Sequence, residues 1–140
     1  MLFRSKNDPL FDTLFEVCHS HVTKFGESFN VSKKHKLVMT DSWINIAMPG
    51  QFQEYHIHAN NHFSLVYYVR TPKDCGNIIF RSHEQNNNIF PLPIEGNIYN
   101  NYQSCNYIPV ESEILIFRSN LMHMVEKNKS NGNRVSLAIN

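Results

Sequence analysis

The sequence predicts a mainly β domain, a β-sandwich or jelly roll behind one N-terminal helix. Three observations predict it. Apolar residues recur at helical spacing only once, between residues 10 and 29. Everything after residue 36 is short apolar segments punctuated by Pro, Gly and Asn turn signals. Three histidines, His56, His58 and His123, then fall where strands from distant parts of such a fold can bring them together.

The helix is carried by Leu10, Leu14, Val17, Cys18, Val22 and Phe25, with Asp8 and Pro9 as its start and Gly26 as its stop. His19 and His21 lie in it and read as packing or surface residues. The strands follow in order. Residues 36–40 form one. Residues 41–48 form a second, closed by the turn signal Pro49-Gly50. Residues 52–58 lead into 63–69, and the turn at 71–76 into 77–81. Residues 82–103, rich in Asn and Pro, read as a long loop of the kind that forms lids and binding loops. Residues 107–110, 113–117, 123–126 and 134–139 complete the set, the last two joined by a hairpin whose turn is Asn131-Gly132. Trp43, Phe63 and Phe117 read as core. The chain stops at Asn140 with no tail, which reads as a minimal or slightly truncated version of the fold.

At 140 residues the chain has the size of one domain, 1–140, with a helical segment at about 9–29 and a barrel at about 36–140. A net charge of +1 and a single basic cluster, Lys33, Lys34, His35 and Lys36, supply no basic field, so nucleic-acid binding is not expected. Cys18, Cys75 and Cys105 are scattered, odd in number and without a C-x-x-C pair, which excludes a disulfide framework and points to a reducing compartment. No apolar run reaches transmembrane length and no signal-peptide core is present, so the expected location is the cytoplasm, away from membranes.

In an extended chain, residues i and i+2 point to one face, so His56 and His58 can present two imidazoles to one point. Imidazole is the commonest metal ligand and suits iron, zinc and copper. His123 is the best candidate for a third ligand. An open iron site needs three protein ligands and free positions for co-substrate and dioxygen. The usual second member of such a pair is a carboxylate, and here that position is His58. Glu54 and Glu84 are the nearest acidic alternatives. One predicted hairpin after His123 comes Arg134, whose guanidinium can take a carboxylate bidentately. Ser136 shares its strand parity, and Tyr68 could add a phenol to the same carboxylate. Tyr67 and Tyr68 point to opposite faces, so at most one lines the site. His62 and His83 read as loop residues or substrate contacts.

These pieces, in this order, resemble the iron(II)/2-oxoglutarate-dependent dioxygenase superfamily, in particular a small prolyl-hydroxylase-like branch common in marine bacteria and their phages. The resemblance rests on residues 42–46, on His56-x-His58 followed by 64–69, on 71–80, on 115–128 and on the closing 134–140. It implies a double-stranded β-helix (jelly roll), the cofactors Fe(II), 2-oxoglutarate and dioxygen, and hydroxylation of a substrate with release of succinate and carbon dioxide. It implies His56, His58 and His123 as iron ligands, and Arg134, Ser136 and Tyr68 as partners of 2-oxoglutarate. The substrate, a small molecule or a peptide, would be read by residues 82–103 and the N-terminal region. The chain departs from the family at Leu65, where glycine is usual, and at Arg81-Ser82-His83-Glu84, where Asp-Pro-Arg is usual. A second class of function stays open: a cupin-like three-histidine metal dioxygenase, or a metal-binding jelly roll without turnover. Arg134 separates them, because such a cupin needs no buried cation on its last strand.

Overall fold

The computed structural model describes residues 9–82, 93, 95, 96, 98 and 102–140. A 3-10 turn, Pro9–Phe11, runs into helix α1, Asp12–Glu27. Eight strands follow: β1 Ser42–Ala47, β2 Gln53–His56, β3 Phe63–Arg70, β4 Ile78–Arg81, β5 Ser104–Tyr107, β6 Ile114–Arg118, β7 His123–Val125 and β8 Arg134–Ile139. They form two antiparallel four-stranded sheets, ordered β1-β8-β3-β6 and β2-β7-β4-β5. Consecutive strands alternate between the two sheets except β4 and β5, which pair with each other, and this is the winding of a double-stranded β-helix. No helix among the described residues is long and apolar enough to cross a membrane.

Strand alternation sorts the first sheet into two faces. Leu65, Tyr67, Ile114, Ile116, Leu137 and Ile139 point outward and pack under α1 through Leu14, Phe15, Cys18 and Val22. Leu65 and Leu137 are buried to 1 % exposure, a gain of about 1.5–3 kcal/mol each. The opposite face looks into the barrel, where Val66, Leu115 and Phe117 meet Ile78, Phe80 and Val125 of the second sheet. The same inward parity carries Ser64 and Tyr68 on β3 and Arg134, Ser136 and Ala138 on β8.

The structure corrects four expectations. Val17 lies off the packed stripe of α1, at 44 % exposure. Residues 36–40 are irregular rather than a strand, held by His19 Nε2 on Leu37 O at 3.1 Å and by Thr40 N–H donating to Asn140 O at 2.8 Å. The strand expected at 107–110 starts earlier, at Ser104, because its pairing with β4 runs Ile78 to Tyr107 through Arg81 to Ser104. Finally, β7 and β8 are not a hairpin. β8 lies between β1 and β3 in the other sheet, so residues 126–133 cross from one sheet to the other. Asn128, 1 % exposed, explains that path: its Nδ2 donates to Ala47 O at 2.9 Å and to Gly132 O at 2.8 Å, and its Oδ1 accepts from Ser130 N–H and Oγ–H. A buried amide thus holds Asn131-Gly132 inside a crossover. Residues 83–92 and Glu84 lie outside the described residues.

Gly76 fixes the entry to β4. It sits at φ +88, and a Cβ there would stand 2.5 Å from Glu126 O. Gly76→Ala is expected to lower stability by roughly 2 kcal/mol or more, from left-handed backbone plus a clash with main chain. A thermal midpoint unchanged from the parent would contradict this.

Candidate metal centre and the buried arginine

β2 and β7 pair with His56 directly opposite His123, and this register brings their imidazoles, tilted by 55°, to 4.2 Å between centroids. His58 lies beyond the end of β2. Its main-chain N–H donates to Ser119 O at 2.9 Å, which folds the ring back to 5.2 Å from His123 and 5.3 Å from His56. One ligand atom from each of the three rings lies within 4.8 Å of the others. Among the described residues no carboxylate joins them; Glu54 is exposed and contributes only its main-chain oxygen, which accepts from His56 Nδ1 at 2.7 Å.

The hydrogen bonds decide which nitrogens are free. His56 Nδ1 and His123 Nδ1 are held by the carbonyls of Glu54 and Leu121, the latter at 2.8 Å. Both rings therefore carry their proton on Nδ1 and keep the Nε2 lone pair for a metal. Burial disfavours the charged form of His123 and His58. His123, 3 % exposed between Phe80 and Phe117, has its pKa pushed down to about 4, chiefly by desolvation, with smaller contributions from the neighbouring imidazoles. His58 is lowered for the same reason, with His56 adding to it. Three imidazoles converging from two strands and a loop can hold a divalent ion with open positions.

This burial has a pH signature in the metal-free protein. His123 titrates near 4 when folded and near 6.5 when unfolded, so the unfolded chain binds the extra proton. Stability is full above pH 6.5 and falls between 6.5 and 4, by on the order of 3 kcal/mol. Urea unfolding with chelator at pH 7 and pH 5 measures it. A His123→Phe variant should show a flatter profile, and an equal slope in both proteins would refute this assignment.

Deeper in the barrel lies Arg134, 7 % exposed. It opens β8 at the end away from Asn140, which touches His58. Its Nη1 donates to Cys75 O at 2.7 Å and Gly76 O at 3.3 Å. No acid among the described residues pairs with it, and burial lowers its pKa. Nη2 and Nε keep their donors. Tyr68, 6 % exposed, stands beside it; burial raises the phenol to about 12, although Arg134 pulls the other way. Ser136 is the register partner of Tyr68, so phenol, hydroxyl and guanidinium share one inner face. An open cleft of about 530 Å³ reaches Arg134 between β1 and β2, past Asn45, Ala47 and Gln53. Trp43 lines the metal end of the same face, 5.7 Å from the His58 ring.

The sequence reading missed the carbonyls of Cys75 and Gly76 and the side chains of Asn140, Ser64 and Ser119 around His58. Asn140 had a signal: it continues the parity of Arg134, Ser136 and Ala138.

The family model described as "Putative 2OG-Fe(II) oxygenase" matches residues 41–140. The chain belongs to this family. The 2OG-Fe(II) oxygenases use Fe(II), 2-oxoglutarate and dioxygen, and the three-histidine cluster is a possible iron site of that chemistry. Among solved structures, the chain is similar to an oxidoreductase of the 2OG-Fe(II) oxygenase family from Burkholderia pseudomallei. The TM-score is 0.57 and the identity 15%, over 73% of this chain and 43% of that one. A Pseudomonas putida prolyl-4-hydroxylase gives 0.50 and 18%, over 71% and 49%. The non-heme alpha-ketoglutarate-dependent carbocyclase SnoK from nogalamycin biosynthesis gives 0.53 and 11%, over 72% and 47%. At these identities the likeness is one of fold. The chain spans less than half the length of each of these relatives. Curated proteins give no match.

Proposed function

We propose that this chain is an iron(II)/2-oxoglutarate-dependent hydroxylase. His56, His58 and His123 would hold the iron through Nε2, and Arg134, with Tyr68 and Ser136, would hold the far carboxylate of 2-oxoglutarate. One observation carries the reading: a buried guanidinium with no acid partner among the described residues, on the inner face of a barrel with three converging imidazoles at its other end. A desolvated cation is unfavourable without an anion, and the donors left on Arg134 suit a carboxylate.

When bound, iron(II) with 2-oxoglutarate and dioxygen supplies the oxidising power that inserts one oxygen atom into a C–H bond and one into succinate, with loss of carbon dioxide. The protein's own part is positional. The carbonyls of Cys75 and Gly76 fix the guanidinium, and the phenol of Tyr68, neutral well above pH 7, can donate rather than repel. Phe80, Phe117 and Trp43 surround the imidazoles and limit water there. We place the substrate, a small molecule or a peptide, at the open mouth, and expect neither nucleic acid nor membrane as a partner.

The test is direct. Iron-loaded protein should consume 2-oxoglutarate and release succinate slowly without added substrate. Metal binding without 2-oxoglutarate consumption would favour the cupin-like reading, for which the wholly imidazole ligand set speaks.

A further inference from the structure

A buried chain of polar groups runs behind His58. Ser119 Oγ and Ser64 Oγ lie 2.8 Å apart, at 0 % and 2 % exposure. Ser64 Oγ donates to Asn140 Oδ1 at 2.8 Å, and Asn140 Nδ2 faces His58 Nδ1 at 3.3 Å. Ser119 O also accepts the main-chain N–H of His58, so both ends of this residue are held by one cluster. The main chain of Asn140 is itself fixed, its N–H donating to Asp41 O and its carbonyl accepting from Thr40.

His58 thereby differs from its two partners. His56 and His123 have Nδ1 on a carbonyl, which can only accept, so their tautomer is set in advance. The partner of His58 is an amide, which offers a donor or an acceptor. With Nδ2 toward the ring, His58 Nδ1 must accept, and the ring proton sits on Nε2. That nitrogen then has no lone pair for a metal. A half-turn of the Asn140 amide brings Oδ1 to the ring and Nδ2 to Ser64 with little movement of heavy atoms. Nδ1–H now donates to Oδ1, Nε2 is free, and Ser64 accepts from Asn140 while donating to Ser119. Ser119 passes from donor to acceptor in its bond with Ser64, so each member keeps a partner in both arrangements.

We propose that Asn140 is a positioning residue for His58, and that metal binding reverses the polarity of the hydrogen-bond chain Ser119–Ser64–Asn140–His58. This rests on the reading of His56, His58 and His123 as a metal site. Only the third ligand would then need to exchange its proton between ring nitrogens when the site fills. Outer partners of ligating histidines generally contribute 10–100-fold in metal affinity.

The experiment uses the full chain with Zn(II) and Co(II) as probes. Ring nitrogens are read by long-range proton–nitrogen NMR without metal and with Zn(II). The wild type should show His58 protonated on Nε2 without metal and on Nδ1 with Zn(II). Asn140→Leu should bind both metals about 10–100-fold more weakly. Asn140→Asp can only accept, so its metal-free ring should already carry the proton on Nδ1, with affinity equal to or above wild type. Ser64→Ala, which leaves the amide in place, should lose less than Asn140→Leu. Rescue by Asp with the tautomer shift separates positioning from mere packing. Wild-type affinity in Asn140→Leu, or equal loss in the Leu and Asp variants, would overturn the relay while leaving the metal site standing. A wild type that binds neither metal would overturn both.

Discussion

Replacing Arg134 by alanine is expected to raise the apparent 2-oxoglutarate constant by about 100-fold or more, with iron affinity unchanged. Removing one partner of a buried, hydrogen-bonded charge pair costs roughly 2–5 kcal/mol, and each 1.4 kcal/mol is about tenfold. Arg134 meets the conditions for that range, being 7 % exposed, fixed by two carbonyls and without an acid among the described residues. The variant should fold. A buried cation without its anion weakens the empty protein, so its removal offsets much of the lost hydrogen bonding. Arg134→Lys keeps the charge but not the planar fork and should fall between the two. Anaerobic titration of the iron(II) forms with 2-oxoglutarate, followed by the metal-to-ligand absorption band, gives the constants. Equal affinities would take Arg134 out of the site and shift weight to a three-histidine enzyme that does not use 2-oxoglutarate.

The fold was legible from one helical stripe and a run of turn-bounded apolar segments. The 3.6-residue stripe predicted α1, and the segments predicted β1, β3, β6 and β8, whose outer residues Leu65, Ile116 and Leu137 meet the helix. What failed was pairing. Asn131-Gly132 is a strong hairpin signal, yet the buried amide of Asn128 takes the chain across to the other sheet, and nothing local in 127–133 announces that. Strand parity placed His56 beside His58, although His58 lies past the strand, and it is the bond to Ser119 that returns its ring. Parity also put Arg134 and Ser136 on one face, as in the structure, although the expected neighbour of β8 was wrong; Tyr68 joins that face through the register of β3 with β8. The cross-strand registers that bring His56 opposite His123 depend on sheet order, which periodicity does not encode. Backbone carbonyls, such as those on Nδ1 of His56 and His123, leave no trace in side-chain identity.

Loss of His56 is the sharpest test of the metal centre, because it is the least entangled with the core. His123 is packed between Phe80 and Phe117, so its truncation would open a cavity and confuse ligand loss with unfolding. His56 is half-buried on β2, an edge strand, and its Nδ1 bond is to its own neighbourhood. His56→Ala should therefore leave metal-free stability nearly unchanged and weaken Fe(II) and Co(II) binding by more than about 100-fold, since a direct ligand exceeds the 10–100-fold of an outer partner. The difference is visible in unfolding. With metal at 100 times its dissociation constant, the wild type gains about 2.7 kcal/mol of stability. The variant, with metal then at or below its own constant, gains about 0.4 kcal/mol or less by the same relation. Denaturant midpoints with and without metal measure both. The same metal-induced gain in the two proteins would mean that the ion binds elsewhere, and the three imidazoles would lose their role as its ligands.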